Sequence, residues 1–130
     1  MIRVLVVDDH DLVRDGVIAA FEQADGFEVV GSCADGEQAV AKAADAHADV
    51  ILMDLSMPVL DGVEATRRIV ALDPAARVVI LTSAAGSRRV SDARAAGAVG
   101  CIFKDADVTE MVDVVRRVAA SPISGVGLPL

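Results

Sequence analysis

The chain has 130 residues, a length that suits one domain. Hydrophobic residues make up 54% and charged residues 25%, a composition that excludes a disordered chain. The net charge of −8 disfavours binding of nucleic acid by this chain alone, because an acidic protein repels phosphates. Aromatic residues are only 2%, so a site that stacks flat ligands or single-stranded bases on aromatic rings is not expected.

Five short apolar runs predict five strands. Three of them are continuous rather than alternating, which is typical of strands buried on both faces of a parallel sheet. The runs cover Ile2–Val7, Phe27–Cys33, Asp49–Met53, Arg77–Leu81 and Val99–Phe103.

Stretches with helical spacing follow each run. The apolar stripes are Val13/Val17/Ala20/Phe21/Ala24, Ala39/Val40/Ala43/Ala44, Val63/Ile69/Val70, Val90/Ala93/Ala96 and Val108/Met111/Val112/Val115/Val118/Ala119. Gly97 is placed to cap the fourth helix, and Pro74 to close the third. Five strand–helix repeats predict an α/β fold with a single doubly wound five-stranded parallel sheet and five helices.

The ends of the chain give further expectations. Residues 1–120 are predicted to form the domain, and residues 121–130, with two prolines and two glycines, a linker or C-terminal tail. No apolar run approaches the roughly 18–20 residues that span a membrane, and acidic residues from Asp8 onward interrupt any signal-peptide core, so the cytoplasm is the expected location.

Polar residues stand where the predicted strands end. Asp8 and Asp9 follow the first strand, Asp54 the third, Thr82 the fourth and Lys104 the fifth. Parallel strands bring their carboxyl ends to one edge of the sheet, where ligands of such folds bind. Three carboxylates, a hydroxyl and an ammonium group are therefore expected to converge on one pocket.

The residue types in this pocket indicate phosphoryl chemistry. Crowded carboxylates need a neutralising cation, and Mg²⁺ prefers a few carboxylates together with waters and a phosphate oxygen. A carboxylate in such a site can attack phosphorus and form an acyl phosphate, while a metal, an ammonium and a hydroxyl offset the charge of the transferred group. Asp54, on the middle strand, is the predicted nucleophile.

The cysteines and histidines match no metal-ligand spacing. Cys33 and Cys101 lie in apolar runs and are interpreted as small core residues. His10 is near the pocket by adjacency, and His47 is expected on the surface. The pairs Arg88-Arg89 and Arg116-Arg117 are interpreted as solvated helix faces.

The combined pattern resembles the receiver domains of two-component response regulators over nearly the whole chain. The residues that carry the resemblance are Asp8-Asp9, Asp54, Met57-Pro58-Val59-Leu60-Asp61-Gly62, Thr82 and Phe103-Lys104. The opening Asp8-Asp9-His10-Asp11-Leu12-Val13-Arg14-Asp15-Gly16-Val17 and the segment Gly97-Ala98-Val99-Gly100 are most similar to the NarL/FixJ subfamily. The resemblance implies a flavodoxin-like topology.

The resemblance also implies roles for single residues. Asp8, Asp9, Asp54 and the backbone carbonyl of Ser56 would hold Mg²⁺, and Asp54 would accept a phosphoryl group from a sensor histidine kinase. Lys104 would pair with a phosphoryl oxygen, and Thr82 would move toward the group and report its presence. Pro58 and Gly62 would shape the loop over the site, and Gly62 would start the third helix.

Three departures from the family pattern affect these expectations. Receivers usually carry Tyr or Phe three positions before the lysine, as the second half of the switch, whereas this chain has Cys101. Many receivers have a proline directly after the lysine, whereas this chain has Asp105. Ser56 and Ala84 occupy the positions that tune water access to the acyl phosphate, so its lifetime stays open.

Several functional alternatives are weighed against this interpretation. A phosphatase of the haloacid-dehalogenase kind needs a second acid two residues after the nucleophile, and this chain has Ser56 there. A flavodoxin-like cofactor-binding module would need aromatic or Gly-rich features that are missing. A degenerate or stand-alone receiver that acts as a protein-interaction module stays open because of Cys101. The expected output is control of transcription through a DNA-binding domain not included in this chain, with a homodimer through the first and fifth helices.

Overall fold

The computed structural model describes residues 1–83 and 88–121. Strands and helices alternate along the chain in the predicted order. The elements are β1 (Ile2–Val7), α1 (Asp11–Gln23), β2 (Phe27–Cys33), α2 (Gly36–Ala46), β3 (Val50–Asp54), α3 (Gly62–Leu72), β4 (Arg77–Thr82), α4 (Arg88–Ala96), β5 (Gly100–Phe103) and α5 (Val108–Ala120).

The five strands form one parallel sheet in the order β2-β1-β3-β4-β5. This is the doubly wound, flavodoxin-like order, so the predicted fold class is confirmed. Because the strand order reverses beside β1 and β3, the carboxyl ends of these two strands flank the crevice where ligands bind in such sheets.

Four strand boundaries differ from the prediction by one residue, and one of them is the end of β3, which lies at Asp54 instead of Met53. β3 begins at Val50, because the side chain of Asp49 instead accepts a hydrogen bond from the backbone N–H of Arg3 at 2.8 Å. β4 continues through Thr82, and β5 begins at Gly100. The ladder between β4 and β5 therefore pairs Thr82 with Phe103 and places both at the edge of the sheet that carries the predicted site.

The sheet is covered on both faces by apolar layers. On one face α1 and α5 pack on the core residues Val4, Val6, Phe21, Leu52, Leu81, Val112, Val115 and Val118. On the other face α2, α3 and α4 pack on Leu5, Val7, Ala39, Ile51, Met53, Ala65, Ile69, Ile80 and Ala93. β3 and β4 are almost completely buried, as their continuous apolar runs predict.

Some predicted helix stripes need correction. Val108 belongs to the apolar pattern of α5 but is the first residue of the helix and is 55% exposed. Ala44 on α2 is also exposed. On α3 the buried face is Gly62, Ala65, Thr66 and Ile69.

Local sequence signals explain where several helices begin and end. Asp35, Asp61 and Asp107 cap α2, α3 and α5, and each side chain accepts a hydrogen bond from a backbone N–H three residues on. Gly97 follows α4 with φ of +120°, which confirms the predicted glycine cap. α3 ends at Leu72, two residues before Pro74.

Within the described residues, no helix has the length and hydropathy needed to span a membrane. Residues 122–130, most of the predicted tail, and Ala84 lie outside the described residues.

Candidate functional site

The predicted site residues meet at the carboxyl edge of the central strands. Asp8 follows β1 directly, and Asp54 is the last residue of β3. The two strands are paired, with Val7 opposite Met53, so the next residue of each chain brings its carboxylate to the same place. Both carboxylates are buried, whereas Asp9 is partly exposed.

Lys104 lies between the two buried carboxylates. Its Nζ is 3.1 Å from Asp8 Oδ2 and 3.2 Å from Asp54 Oδ1. Its backbone N–H donates to the carbonyl of Thr82 at 2.9 Å, which ties the start of the loop after β5 to the end of β4. The five predicted residues Asp8, Asp9, Asp54, Thr82 and Lys104 therefore belong to one sheet edge, and Lys104 makes direct ion pairs with two of the acids.

The electrostatics of the pocket disfavour a negative charge on Asp54. Burial, and next the charge of Asp8, raise the pKa of Asp54 to about 6, although Lys104 and the backbone N–H of Ser56 oppose this shift. Burial lowers the pKa of Lys104, but the hydrogen bonds and charges of Asp8 and Asp54 together outweigh burial and raise it. The single positive charge of Lys104 therefore does not neutralise the two carboxylates of Asp8 and Asp54 that it contacts.

Three buried carboxylate oxygens, Asp8 Oδ2, Asp9 Oδ1 and Asp54 Oδ2, have no hydrogen-bond partner among the described residues. Asp8 Oδ2 has its ion pair with Lys104, and Asp9 Oδ1 lies 3.2 Å from His10 Nδ1. Unpaired buried carboxylate oxygens are costly, and hard divalent cations prefer such ligands. The donor set therefore fits a bound cation such as Mg²⁺.

The loop between β3 and α3 borders the pocket. The backbone N–H of Ser56 donates to Asp54 Oδ1 at 3.3 Å, and the N–H of Gly62 donates to the carbonyl of Leu55 at 3.0 Å. A Cβ atom on Gly62 would collide with the backbone carbonyl of Asp54, so only glycine allows α3 to begin here. Val59 in the same loop has φ of +69°, a strained value for a β-branched residue.

Two arginines that the sequence analysis did not assign to the site contact its backbone. Arg89 on α4, interpreted from sequence as part of a solvated face, donates to the carbonyl of Leu55 at 2.7 Å and lies 3.4 Å from Ser56 Oγ. Arg14 on α1 donates to the carbonyl of Asp8 at 2.9 Å. Both arginines hold backbone groups next to predicted ligands. No sequence motif predicts these side-chain contacts with backbone carbonyls, because they depend on how the helices pack.

His10 also joins the pocket. Its Nδ1 lies 3.2 Å from Asp8 Oδ1 and 3.2 Å from Asp9 Oδ1. His10 matches no metal-ligand spacing in the sequence. In the structure, the turn after β1 brings it close to three acids. One candidate ligand atom from each of Asp8, Asp9, His10 and Asp54 lies within 4.8 Å of the others.

The cysteines behave as core residues. Cys33 is buried at the end of β2, and Cys101 is half-buried in β5 opposite Ile80. Burial raises the pKa of both thiols. A reactive thiolate needs a lowered pKa, so this environment does not favour a redox role for Cys101.

The comparisons with known proteins agree with the geometry. The family model described as the response regulator receiver domain matches residues 4–116. The response regulator GacA of Pseudomonas viridiflava is 43% identical over 120 residues, which are 92% of this chain and 56% of that protein. The chain therefore spans about half the length of the curated relatives it matches.

Two solved structures extend the similarity. The receiver domain of the response regulator NarL from Mycobacterium tuberculosis has a TM-score of 0.88 and 32% identity, and the match covers 93% of this chain and 98% of that one. A CheX–CheY–BeF₃–Mg²⁺ complex from Borrelia burgdorferi has a TM-score of 0.84 and 29% identity, over 92% of this chain and 90% of that one.

Proposed function

Because the chain belongs to the response regulator receiver domain family of two-component systems, in its NarL/FixJ-type branch, we propose that Asp54 accepts a phosphoryl group and thereby switches the conformation of the domain. The observation that carries the proposal is the position of Asp54. Its carboxylate is buried beside that of Asp8 and is ion-paired with Lys104, and one of its oxygens has no hydrogen-bond partner among the described residues.

The proposed reaction is a phosphoryl transfer from a sensor histidine kinase. A bond forms between a carboxylate oxygen of Asp54 and phosphorus while the phosphorus–nitrogen bond of the donor histidine breaks. Lys104, whose Nζ is 3.2 Å from Asp54 Oδ1, is proposed to pair with an oxygen of the transferred group. We propose that Thr82 donates its hydroxyl to another such oxygen once the group is in place.

We propose that the carboxylates of Asp8, Asp9 and Asp54 hold Mg²⁺, together with the backbone carbonyl of Ser56. The three buried oxygens without hydrogen-bond partners support this assignment. A bound divalent cation would neutralise the excess negative charge and the charge on the phosphoryl oxygens. The similar CheY structure from Borrelia burgdorferi, which was crystallised with BeF₃ and Mg²⁺, supports the same ion here.

The relatives support a wider role. We propose that this chain is the receiver part of a cytoplasmic transcription regulator, since the curated relatives are about twice its length. It is proposed to act as a switch, not as an enzyme with turnover on other substrates. The complete acid set and Lys104 support this role over that of a degenerate receiver.

We also propose that the switched state dimerises through α1 and α5. The surface cannot be the apolar stripe of α5, because Met111, Val112 and Val115 are buried in the core. The exposed alternative is a shallow groove between these helices, lined by Gly16, Ala19, Ala20, Gln23, Ala24 and Val108.

The proposed function is tested by incubating the protein with acetyl phosphate and Mg²⁺ and recording its intact mass. We expect a phosphoryl adduct in the wild type and in Asp92→Asn, an exposed control on α4, and none in Asp54→Asn. EDTA should prevent the adduct. An adduct that persists in Asp54→Asn would assign the acceptor to another residue.

A further inference from the structure

His10 lies in the pocket, but the proposed phosphoryl transfer does not use it. It precedes α1 with an extended backbone and makes no side-chain cap, so its ring is not committed to the helix. The ring is 62% exposed, and Nδ1 points between two carboxylates, 3.2 Å from Asp8 Oδ1 and 3.2 Å from Asp9 Oδ1.

The contact with Asp8 Oδ1 has the length of a hydrogen bond, and both distances also match the spacing of ligands around one small metal ion. Two atoms bound to the same ion at about 2.0–2.2 Å lie roughly 3.0–3.5 Å apart in octahedral or tetrahedral geometry. The distances from His10 Nδ1 to the two aspartate oxygens fall in this range. The backbone N–H of His10 also donates to Asp8 Oδ1 at 2.9 Å, which fixes the turn that carries the ring.

The pocket needs a cation for reasons independent of His10. Asp8 and Asp54 are buried; Asp54 Oδ2 has no hydrogen-bond partner among the described residues, and Asp8 Oδ2 has its ion pair with Lys104. Arg14 donates to the carbonyl of Asp8, and Lys104 is ion-paired with its carboxylate. His10 therefore offers an exposed ring nitrogen at the rim of a pocket whose buried ligand atoms are carboxylate oxygens.

An imidazole nitrogen changes which ions such a site prefers. Mg²⁺ favours carboxylate, carbonyl and water oxygens, whereas Zn²⁺, Ni²⁺ and Cu²⁺ bind imidazole well. A site with three carboxylates and one imidazole can hold Mg²⁺ through oxygen alone and can add the nitrogen for a transition ion.

We propose that His10 is a metal ligand recruited by divalent transition ions and not by Mg²⁺, so that this side chain sets the metal selectivity of the phosphorylation pocket. The proposal rests on the proposed function, because it uses the same carboxylates. It implies that Zn²⁺ or Ni²⁺ competes with Mg²⁺ for the pocket and that removal of His10 weakens the competitor.

The test compares metal affinities of the wild type, His10→Asn and His47→Asn by calorimetry on metal-stripped protein at a fixed pH. Asn is a favourable N-cap residue, so His10→Asn should fold normally. His47 is the other histidine, exposed at the end of α2 with φ of +51°, a conformation that Asn tolerates, and it serves as the matched control.

We expect His10→Asn to lower the affinity for Ni²⁺ and Zn²⁺ about tenfold or more, a scale that even indirect metal partners reach. The affinity for Mg²⁺ should change by less than about threefold, and His47→Asn should match the wild type. Nitrogen NMR of the histidine rings gives a direct readout, since Zn²⁺ should shift Nδ1 of His10 and leave His47 unchanged.

An unchanged ratio of Ni²⁺ to Mg²⁺ affinity in His10→Asn, or the absence of a shift at His10 Nδ1, would overturn the proposal. Mg²⁺ binding would persist in that case, so the proposed function would stand. If the wild type bound neither Mg²⁺ nor Zn²⁺, both the selectivity role of His10 and the proposed metal site would fail.

Discussion

Lys104 Nζ lies 3.2 Å from Asp54 Oδ1, yet the pKa of Asp54 is raised to about 6 because burial and the charge of Asp8 outweigh the lysine. The native state without metal therefore holds the Asp54 proton more tightly than the unfolded chain, where the pKa is close to 3.8. Stability is then lost as the pH rises from about 4 to about 6, since ionisation is easier in the unfolded chain.

The first prediction is that Asp54→Asn stabilises the metal-free protein. Asn keeps the shape of the side chain and removes the disfavoured charge, so at neutral pH the free energy of unfolding should rise by about 1–3 kcal/mol. The gain should shrink as the pH falls from about 6 to about 4 and should be absent below about 4, where Asp54 is protonated in both states. Denaturant melts in EDTA at several pH values measure this, with Asp92→Asn as control. A destabilised Asp54→Asn would mean that the Lys104 ion pair outweighs burial.

The second prediction concerns the contact between α4 and the loop after β3. The carbonyl of Leu55 accepts hydrogen bonds from Arg89 and from the backbone N–H of Gly62. Arg89→Ala should cost about 1 kcal/mol of stability, since one donor and an ion pair with Asp61 are lost. It should also speed amide exchange across residues 55–62. Arg88→Ala, the exposed neighbour on the same helix, should leave exchange in the loop unchanged. Equal effects of both variants would show that α4 charge, and not this contact, matters.

The third prediction concerns Val59. Its φ of +69° and the hydrogen bond from the N–H of Leu60 to the carbonyl of Pro58 at 2.7 Å describe a tight three-residue turn. Glycine adopts this backbone without the clash of a branched Cβ, so Val59→Gly should raise stability by about 0.5–1.5 kcal/mol. The side chain is 75% exposed, so little packing is lost. Val59→Ala, which keeps a Cβ, should gain less than Val59→Gly in the same denaturant melts. A loss of stability in Val59→Gly would show that the turn is not strained.

How far the sequence predicts this molecule depends on the range of the interaction. The continuous apolar runs of β3 and β4 and the Asp caps of the helices are local signals, so the element order was predictable. The pocket residues Asp8, Asp54 and Lys104 were predictable because parallel strands bring their ends together. The contacts of Arg89 and Arg14 were not, since side chains from separate helices reach backbone carbonyls that no pattern marks.

The fourth prediction is that Thr82→Ala accepts phosphate normally but responds to it weakly. The hydroxyl would gain a charge-assisted hydrogen bond only in the phosphorylated state, and such a bond contributes about 1.5–3 kcal/mol. Its loss should shift the balance between the two conformations roughly tenfold or more. Adduct formation by mass spectrometry should be unchanged, while chemical-shift changes on adding beryllofluoride should shrink. The matched control is Ser83→Ala, because Ser83 is next to Thr82 and exposed. Thr66→Ala on α3 is unsuitable as a control because Thr66 is buried. A full response in Thr82→Ala would separate this residue from the switch.

The fifth prediction concerns Cys101, which occupies the position where the family resemblance implies Tyr or Phe. Cys101 is half-buried opposite Ile80 in the ladder between β4 and β5. Because neighbouring Ile102 packs on the α1 and α5 side of the sheet, alternation points Cys101 toward α4. A cysteine side chain is too small to swing between exposed and buried positions as a ring does, and it buries readily in either state. The surface formed by α4, β5 and α5 should therefore change little on phosphorylation.

Installing the ring by Cys101→Tyr should enlarge that change. Amide exchange over residues 88–104, compared with and without beryllofluoride, should differ more in Cys101→Tyr than in the wild type. Cys101→Ser is the control, because it keeps the small size and should behave like the natural protein. Sedimentation of the same samples follows the proposed dimer, which should form equally in all three if α1 and α5 carry it. If the wild type already shows as large an exchange difference as Cys101→Tyr, the cysteine does not limit the movement of α4, and the signal passes through this face without an aromatic ring.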